Sequence, residues 1–164
     1  MLSDKVLEKA CIAVELLKQK NLTVATAESC TGGMVSQFIT AVSGASDVFS
    51  MGVCAYSCEV KHKLLDVSTD VLEKHGAVSK DTAALMAAGI RKKAESDIGL
   101  SVTGSAGPAS CEGHPAGHVF IALANSENTI VKLLNIDPIN REYVRQSATL
   151  ESFNLLIDYL GKSK

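Results

Sequence analysis

A short β-branched and apolar run, Leu22-Thr-Val-Ala-Thr-Ala27, passes through Glu28-Ser-Cys-Thr-Gly-Gly33 into Met34–Val42, whose mostly apolar residues have helix-compatible spacing. The junction therefore reads as a tight strand-to-helix turn. Such a turn presents side chains at a sheet edge and aims free backbone N–H groups at one point, because the first four amides of a helix lack internal partners. Gly32 and Gly33 let a ligand approach the backbone closely. Ser29 is read as the reactive group, since a hydroxyl beside convergent amides supplies the nucleophile and the oxyanion donors that acyl transfer needs. On local spacing alone the commoner alternative stays open: Ser29 or Thr31 caps the helix and the glycines make the turn.

The 164 residues suffice for one domain, spanning 1–164, with a core that needs no disulfides. Basic residues number 16 against 18 acidic ones, so no global basic field recruits nucleic acid or an anionic membrane. Aromatic residues are only 4% and Trp is absent, which removes the stacking platforms of single-strand binders. The amino terminus lacks a basic region followed by an apolar run, and no window is as long as a membrane span, so a cytoplasmic location is expected. Cys11, Cys30, Cys54, Cys58 and Cys111 contain no C-x-x-C pair, and their odd number predicts free thiols. No cofactor and no metal are expected. His114 and His118 are four apart, but one is in a loop and the other begins a strand, with no carboxylate pattern nearby.

Along the chain, Ser3 is a candidate N-cap for a first helix to about Lys20, with Val6, Ala10, Ala13 and Leu17 on its inner face. Val48–Tyr56 reads as a second strand, after which Ser57 caps a helix that carries Lys61 one turn in. Ser68 starts a short helix that Gly76 ends, and Ser79 caps a long one over Lys80–Ala94, whose Ala83, Ala84, Ala87, Ala88 and Ile90 suit close packing. Asp97–Thr103 is a third strand, running into the turn Gly104-Ser-Ala-Gly-Pro108. A loop over Ala109–Gly117 precedes a hairpin of His118–Ala124 and Thr129–Ile136, so the sheet is mixed. Asn140 caps a closing helix to about Leu160. In open α/β sheets ligands gather at the carboxyl ends of the strands, which places the turns after the first two strands on one crevice.

Taken together, Ala27-Glu-Ser-Cys-Thr-Gly-Gly33, Tyr56-Ser57 with Lys61, His75-Gly-Ala-Val-Ser79 and Thr103-Gly-Ser-Ala-Gly-Pro108 resemble the CinA carboxy-terminal domain from about Val6 to Leu160. The resemblance implies a three-layer α/β/α fold with a mixed, mostly parallel sheet of about five strands. It also implies a metal-free serine–lysine hydrolase, because the enzymatic members are nicotinamide-nucleotide amidases. These convert nicotinamide mononucleotide to nicotinate mononucleotide and ammonia, a step of pyridine-nucleotide salvage. The family's nucleophile falls on Ser29, its lysine on Lys61, its assisting tyrosine on Tyr56 and a substrate-contacting arginine on Arg145. Thr31, Gly32 and Gly33, with Gly104, Ala106 and Gly107, are then expected to bind substrate. The implied form is the standalone domain, without the additional amino-terminal domain of larger family proteins, and a homo-oligomer is expected.

The residues by themselves leave alternatives. An ordinary lysine, with a pKa of about 10.4, is rarely neutral at physiological pH, so Lys61 must be desolvated to act as a base. Read without the resemblance, Lys61 is an exposed helical lysine and Tyr56 a half-buried strand end. Cys30 is a rival nucleophile beside Ser29, and Ser57 with Lys61 is a rival pair on one helix face. Two features depart from the family pattern: Cys58 stands where asparagine is usual, and Ala109–Pro115 replaces a glycine-rich segment. Both make an altered or non-catalytic nucleotide-binding member the alternative.

Overall fold

Each short strand is followed by a cap-bounded helical segment or a tight turn, and the order of these units fixes the architecture. The computed structural model describes residues 1–162, so the last two residues of the expected domain lie outside it. Strands β1 (Val24–Glu28), β2 (Phe49–Cys54), β3 (Ile98–Gly104), β4 (His118–Ala124) and β5 (Thr129–Asn135) form one sheet in the order β2-β1-β3-β4-β5. β1 runs parallel to both β2 and β3, and the β4–β5 hairpin adds two antiparallel pairings. Helices α1 (Leu2–Lys20), α2 (Met34–Thr40) and α6 (Arg141–Lys162) cover one face, while α3 (Cys58–Leu65), α4 (Thr69–His75) and α5 (Lys80–Ala94) lie on the other. The expected three-layer mixed α/β/α fold is the one adopted.

The period of two along β3 sorts its side chains between the layers. Ile98, Leu100 and Val102 join Val119, Ile121 and Leu123 of β4 in the main core under α1 and α6. The opposite face is small and polar: Ser101 Oγ donates to the Ala83 carbonyl at 2.6 Å, and Thr103 Oγ1 donates to that of Ala77 at 2.7 Å. Gly99 leaves room for the Ala87 carbonyl, which would lie 2.1 Å from an added Cβ. Ala83 and Ala87 of α5 meet Ala122 and Ala124 of β4, so the helix sits almost on the sheet backbone.

Ser57, Ser68 and Ser79 accept from the amides of Val60, Val71 and Thr82 at 3.2, 3.2 and 3.1 Å, as capping residues do. Three local expectations are corrected. α1 begins at Leu2, where the terminal ammonium pairs with Asp4, so Ser3 lies inside the helix. β2 ends at Cys54, although the Ala55 amide still donates to the Glu28 carbonyl at 2.8 Å in continuation of the β1–β2 ladder, and Tyr56 lies beyond the strand with its ring exposed. On α5, Ala84 is half-buried and Ala88 exposed; the inner face is Thr82, Ala83, Met86, Ala87 and Ile90.

Gly89 shows how tight the α3–α5 contact is, since a Cβ there would lie 2.0 Å from the Leu65 carbonyl oxygen. In a free helix Gly→Ala stabilises by about 1 kcal/mol. Here overpacking reverses the sign, and Gly89→Ala is expected to lower the unfolding free energy by about 1–3 kcal/mol. Urea titration of the variant checks this; an unchanged or raised midpoint would contradict it.

Candidate active site

Ser57 fixes the start of α3, and Lys61 one turn later points inward beneath the carboxyl end of β1. Its side chain is fully buried. Nζ lies 3.0 Å from Ser29 Oγ, 2.8 Å from the Ala55 carbonyl and 3.1 Å from the Tyr56 carbonyl. Burial pushes its pKa below the ordinary lysine range, because desolvation penalises the ammonium; the surrounding groups Cys58, Cys30, Glu112 and Cys111 pull weakly the other way. Of the two readings open in the sequence, the exposed helical lysine is excluded. The Ser57 hydroxyl is the helix cap rather than a partner of Lys61.

Ser29 follows β1 directly, and its amide extends the β1–β3 ladder by donating to the Val102 carbonyl at 2.9 Å. The turn is held by Glu28, which is only 1% exposed. Its carboxylate accepts from the amides of Gly33, Val35 and Ser36 at 3.0, 3.1 and 2.9 Å, and from Ser36 Oγ at 2.9 Å. A carboxylate at a helix N-terminus satisfies orphan donors and complements the dipole. This corrects the expectation that Gly32 and Gly33 offer their amides to a ligand. The Gly33 amide is held by Glu28, and that of Gly32 donates to the Ser29 carbonyl at 3.1 Å. Their left-handed φ of 60° and 95° makes the turn instead. Among the described residues the amides of Cys30 and Thr31 have no backbone acceptor, which leaves them as the turn's donors beside Ser29. Thr31 itself is fully buried, and its hydroxyl has no partner among the described residues.

Ser29 opens on a cleft of about 380 Å³, at the lower end of the roughly 300–1,000 Å³ usual for small-ligand sites. Gly104, Ala106 and Gly107 line it, as do Tyr56 and Arg141. The Ser105 amide is taken by the His118 carbonyl, which leaves Ala106 and Gly107 as the donors of that turn. Tyr56 reaches Lys61 through its carbonyl, while its phenol oxygen accepts from Arg141 Nη2 at 3.2 Å. Arg141 also donates from Nη1 to the Gly107 carbonyl at 2.6 Å, so one guanidinium joins both walls. Arg145 lies behind the turn: it donates to the carbonyls of Cys30 and Thr31 at 3.2 and 2.8 Å and pairs with Glu142. The arginine that lines the cleft is therefore one helical turn earlier than expected.

The segment 109–117 is more ordered than its composition suggests. Cys111 and His114 exchange backbone hydrogen bonds at 3.0 and 2.9 Å around Glu112 and Gly113, both with positive φ. The Glu112 carboxylate then accepts from the amides of Ala77 and Val78 at 3.1 and 2.9 Å. His114 and His118 stack with ring centroids 4.5 Å apart, and among the described residues no cluster of three or more His, Cys, Asp or Glu is placed to hold a metal ion. Cys30, the rival nucleophile, is buried and its thiol is pushed up to about 12, chiefly by desolvation, so it remains protonated at neutral pH.

Glu28 and Arg141 escaped the reading of the sequence. An acidic residue that closes a buried strand, with a glycine-bearing turn between it and the next helix, is the signal that points to the first. The second has no sequence signal, since Arg141 and Arg145 share one helix face.

Residues 7–160 match the family model described as the CinA C-terminal domain. A protein of Caldanaerobacter subterraneus, named provisionally as competence-damage inducible, is 45% identical over 150 residues, 91% of this chain and 36% of the relative. One of Acetivibrio thermocellus, named likewise, is 46% identical over 154 residues, 93% of this chain and 37% of the relative. The chain thus spans a little over a third of the length of these curated relatives. The solved competence damage-inducible protein A of Klebsiella pneumoniae superposes with a TM-score of 0.94 at 30% identity, covering 97% of this chain and 99% of that one. The competence/damage inducible protein CihA of Agrobacterium tumefaciens gives 0.91 at 31% identity, with 96% of each chain covered. Among the described residues no helix is long and apolar enough to cross a membrane.

Replacing Glu28 by alanine strips the α2 start of its carboxylate acceptor. The expected cost is about 3 kcal/mol, at the upper end for hydrogen bonds to a charged group. Equilibrium unfolding of Glu28→Ala measures it, and a loss below about 1 kcal/mol would mean that water replaces the carboxylate without difficulty.

Proposed function

The chain belongs to the CinA C-terminal domain family, and from that premise we propose that it is an amidohydrolase converting nicotinamide mononucleotide to nicotinate mononucleotide and ammonia. The observation that carries this reading is the buried Lys61 amine 3.0 Å from the Oγ of Ser29, a serine that lines the cleft. Ser29 Oγ attacks the carboxamide carbon and Lys61 takes its proton. The amides of Cys30 and Thr31 stabilise the oxyanion. As the tetrahedral intermediate collapses, the C–N bond breaks and Lys61 returns the proton to the leaving ammonia. Water, deprotonated by Lys61, then hydrolyses the acyl-enzyme to nicotinate mononucleotide and free Ser29.

Other residues bind and orient. The Arg141 guanidinium and the amides of Ala106 and Gly107 suit the substrate's phosphate, a planar fork and a concave turn both favouring an anion. Tyr56 closes the cleft over the ring and keeps Arg141 in place. Arg145 and Thr31 act through the turn rather than on substrate. No metal or cofactor takes part in this scheme. The mononucleotide is the only small-molecule partner proposed, nucleic acid and membrane are not partners, and the protein works in the cytoplasm as a homo-oligomer. A second reading, a nucleotide-binding module that keeps the cleft without turnover, draws on Cys58 and Cys111 lining that cleft. It predicts thermal stabilisation by a mononucleotide that is never converted.

Ammonia release from nicotinamide mononucleotide, measured with a chelator present, tests the proposal. Ser29→Ala and Lys61→Met are each expected to lose at least about 10³-fold in kcat while remaining folded, as when a nucleophile or its base is removed. Turnover retained in either variant would remove that residue from the mechanism.

The lowered pKa of Lys61 gives two pH signatures. Activity should rise with pH as Lys61 becomes neutral and level off below the ordinary lysine value of about 10.4. For stability the sign follows from linkage: the unfolded lysine takes up its proton first as pH falls. Lys61 therefore makes folding less favourable progressively from about pH 10.4 down to its lowered pKa. Denaturation midpoints across this range should show that slope in the wild type and not in Lys61→Met; equal slopes would mean that the folded lysine keeps its proton.

A further inference from the structure

Two thiols face the same cleft from different elements. Cys58 occupies the first turn of α3, on the side of Tyr56 and Ser57, and Cys111 stands on the hairpin closed by Glu112 and Gly113. Both are exposed and both line the cavity onto which Ser29 opens. The other cysteines do not share this position. Cys30 is buried and held as a thiol, while Cys11 and Cys54 are exposed outside the cleft lining.

We propose that Cys58 and Cys111 form an oxidisable thiol pair whose disulfide closes the cleft over Ser29. Accessible thiols react with hydroperoxides, whereas a buried protonated thiol does not. In the first step one thiol is oxidised to the sulfenic acid and the hydroperoxide is reduced to the alcohol or, for hydrogen peroxide, to water. The second thiol displaces hydroxide from that sulfur, and a second water leaves as the S–S bond forms. Two thiols thus give up two hydrogens and the O–O bond of one hydroperoxide is cleaved. Bridging brings the two Cβ atoms to about 3.5–4.5 Å, across the cavity that both residues line. The bond then crosses the entrance used by anything that reaches Ser29. A dithiol reductant reopens it.

Formation of the bond does not depend on the amidase reading; its effect on turnover does. Purified protein is treated with hydrogen peroxide, alkylated and mapped by mass spectrometry without reduction. The expected product is monomeric, about 2 Da lighter, with the peptides containing Cys58 and Cys111 joined. Turnover of nicotinamide mononucleotide should fall in proportion to the linked fraction and return with dithiothreitol. In Cys58→Ser and Cys111→Ser, oxidised and reduced samples should turn over substrate at the same rate as each other. A Cys54–Cys58 link, a link between two copies, or sulfinic acid at either position without a link would overturn the pair. Full linkage with unchanged turnover would overturn the closure. If the reduced wild type has no turnover, the amidase reading fails alone and the peptide map still decides whether the pair exists.

Discussion

Burial of a lysine amine under three oxygens is the constraint around which the rest of the structure is arranged. Taking an ammonium out of water costs several kcal/mol even after relaxation. Here Lys61 Nζ meets the Ala55 and Tyr56 carbonyls and Ser29 Oγ, which satisfy its hydrogens without supplying a paired carboxylate. That difference matters. A carboxylate would hold the proton on the lysine, whereas neutral acceptors leave desolvation to dominate and favour the free base. The same amine is thereby made unfavourable for stability and suitable for proton transfer.

The fold offsets this cost by packing. α5 reaches the sheet so closely that glycine, alanine and hydroxyl side chains are what fit between them, and the Ser101 and Thr103 hydroxyls satisfy helix carbonyls in the contact. α3 is drawn in with it through Gly89 and Leu65, and α3 carries Lys61. Close packing of the second layer and the depth of the lysine are thus one fact seen at two levels. The main core under α1 and α6 is conventional by comparison, built from branched aliphatic residues of β3 and β4.

Charge is used differently on the other side of Ser29. Glu28 is buried with its carboxylate fully occupied by the start of α2, so the donors that a bare helix start would offer a ligand are consumed in holding the turn. Arg145 braces the same turn from behind, through the Cys30 and Thr31 carbonyls. The cleft's cation is Arg141, which connects the Tyr56 ring to the Gly107 turn. Within one turn of α6, one arginine supports the main chain and the other faces the cavity.

The strands, most helix starts and the mixed sheet were legible in the sequence because they follow from local chemistry: Ser57, Ser68 and Ser79 cap the helices they precede, and Ile98, Leu100 and Val102 alternate with small residues as a half-sorted strand must. Ser29 and Lys61 were nameable through motif resemblance. Their 3.0 Å separation was not, because it joins positions 32 residues apart through the packing of α3 beneath β1. Nor was the assignment of amides: Gly33 in isolation is a donor, and only the fold turns the Glu28 carboxylate onto it. The choice of Arg141 over Arg145 likewise depends on where α6 crosses the sheet edge. By itself the sequence determined which segments become strands and helices, since period and capping act within a few residues. Only the tertiary structure decided which polar groups are consumed internally and which are left facing the cleft, because burial and hydrogen-bond partnership are properties of contacts between distant segments.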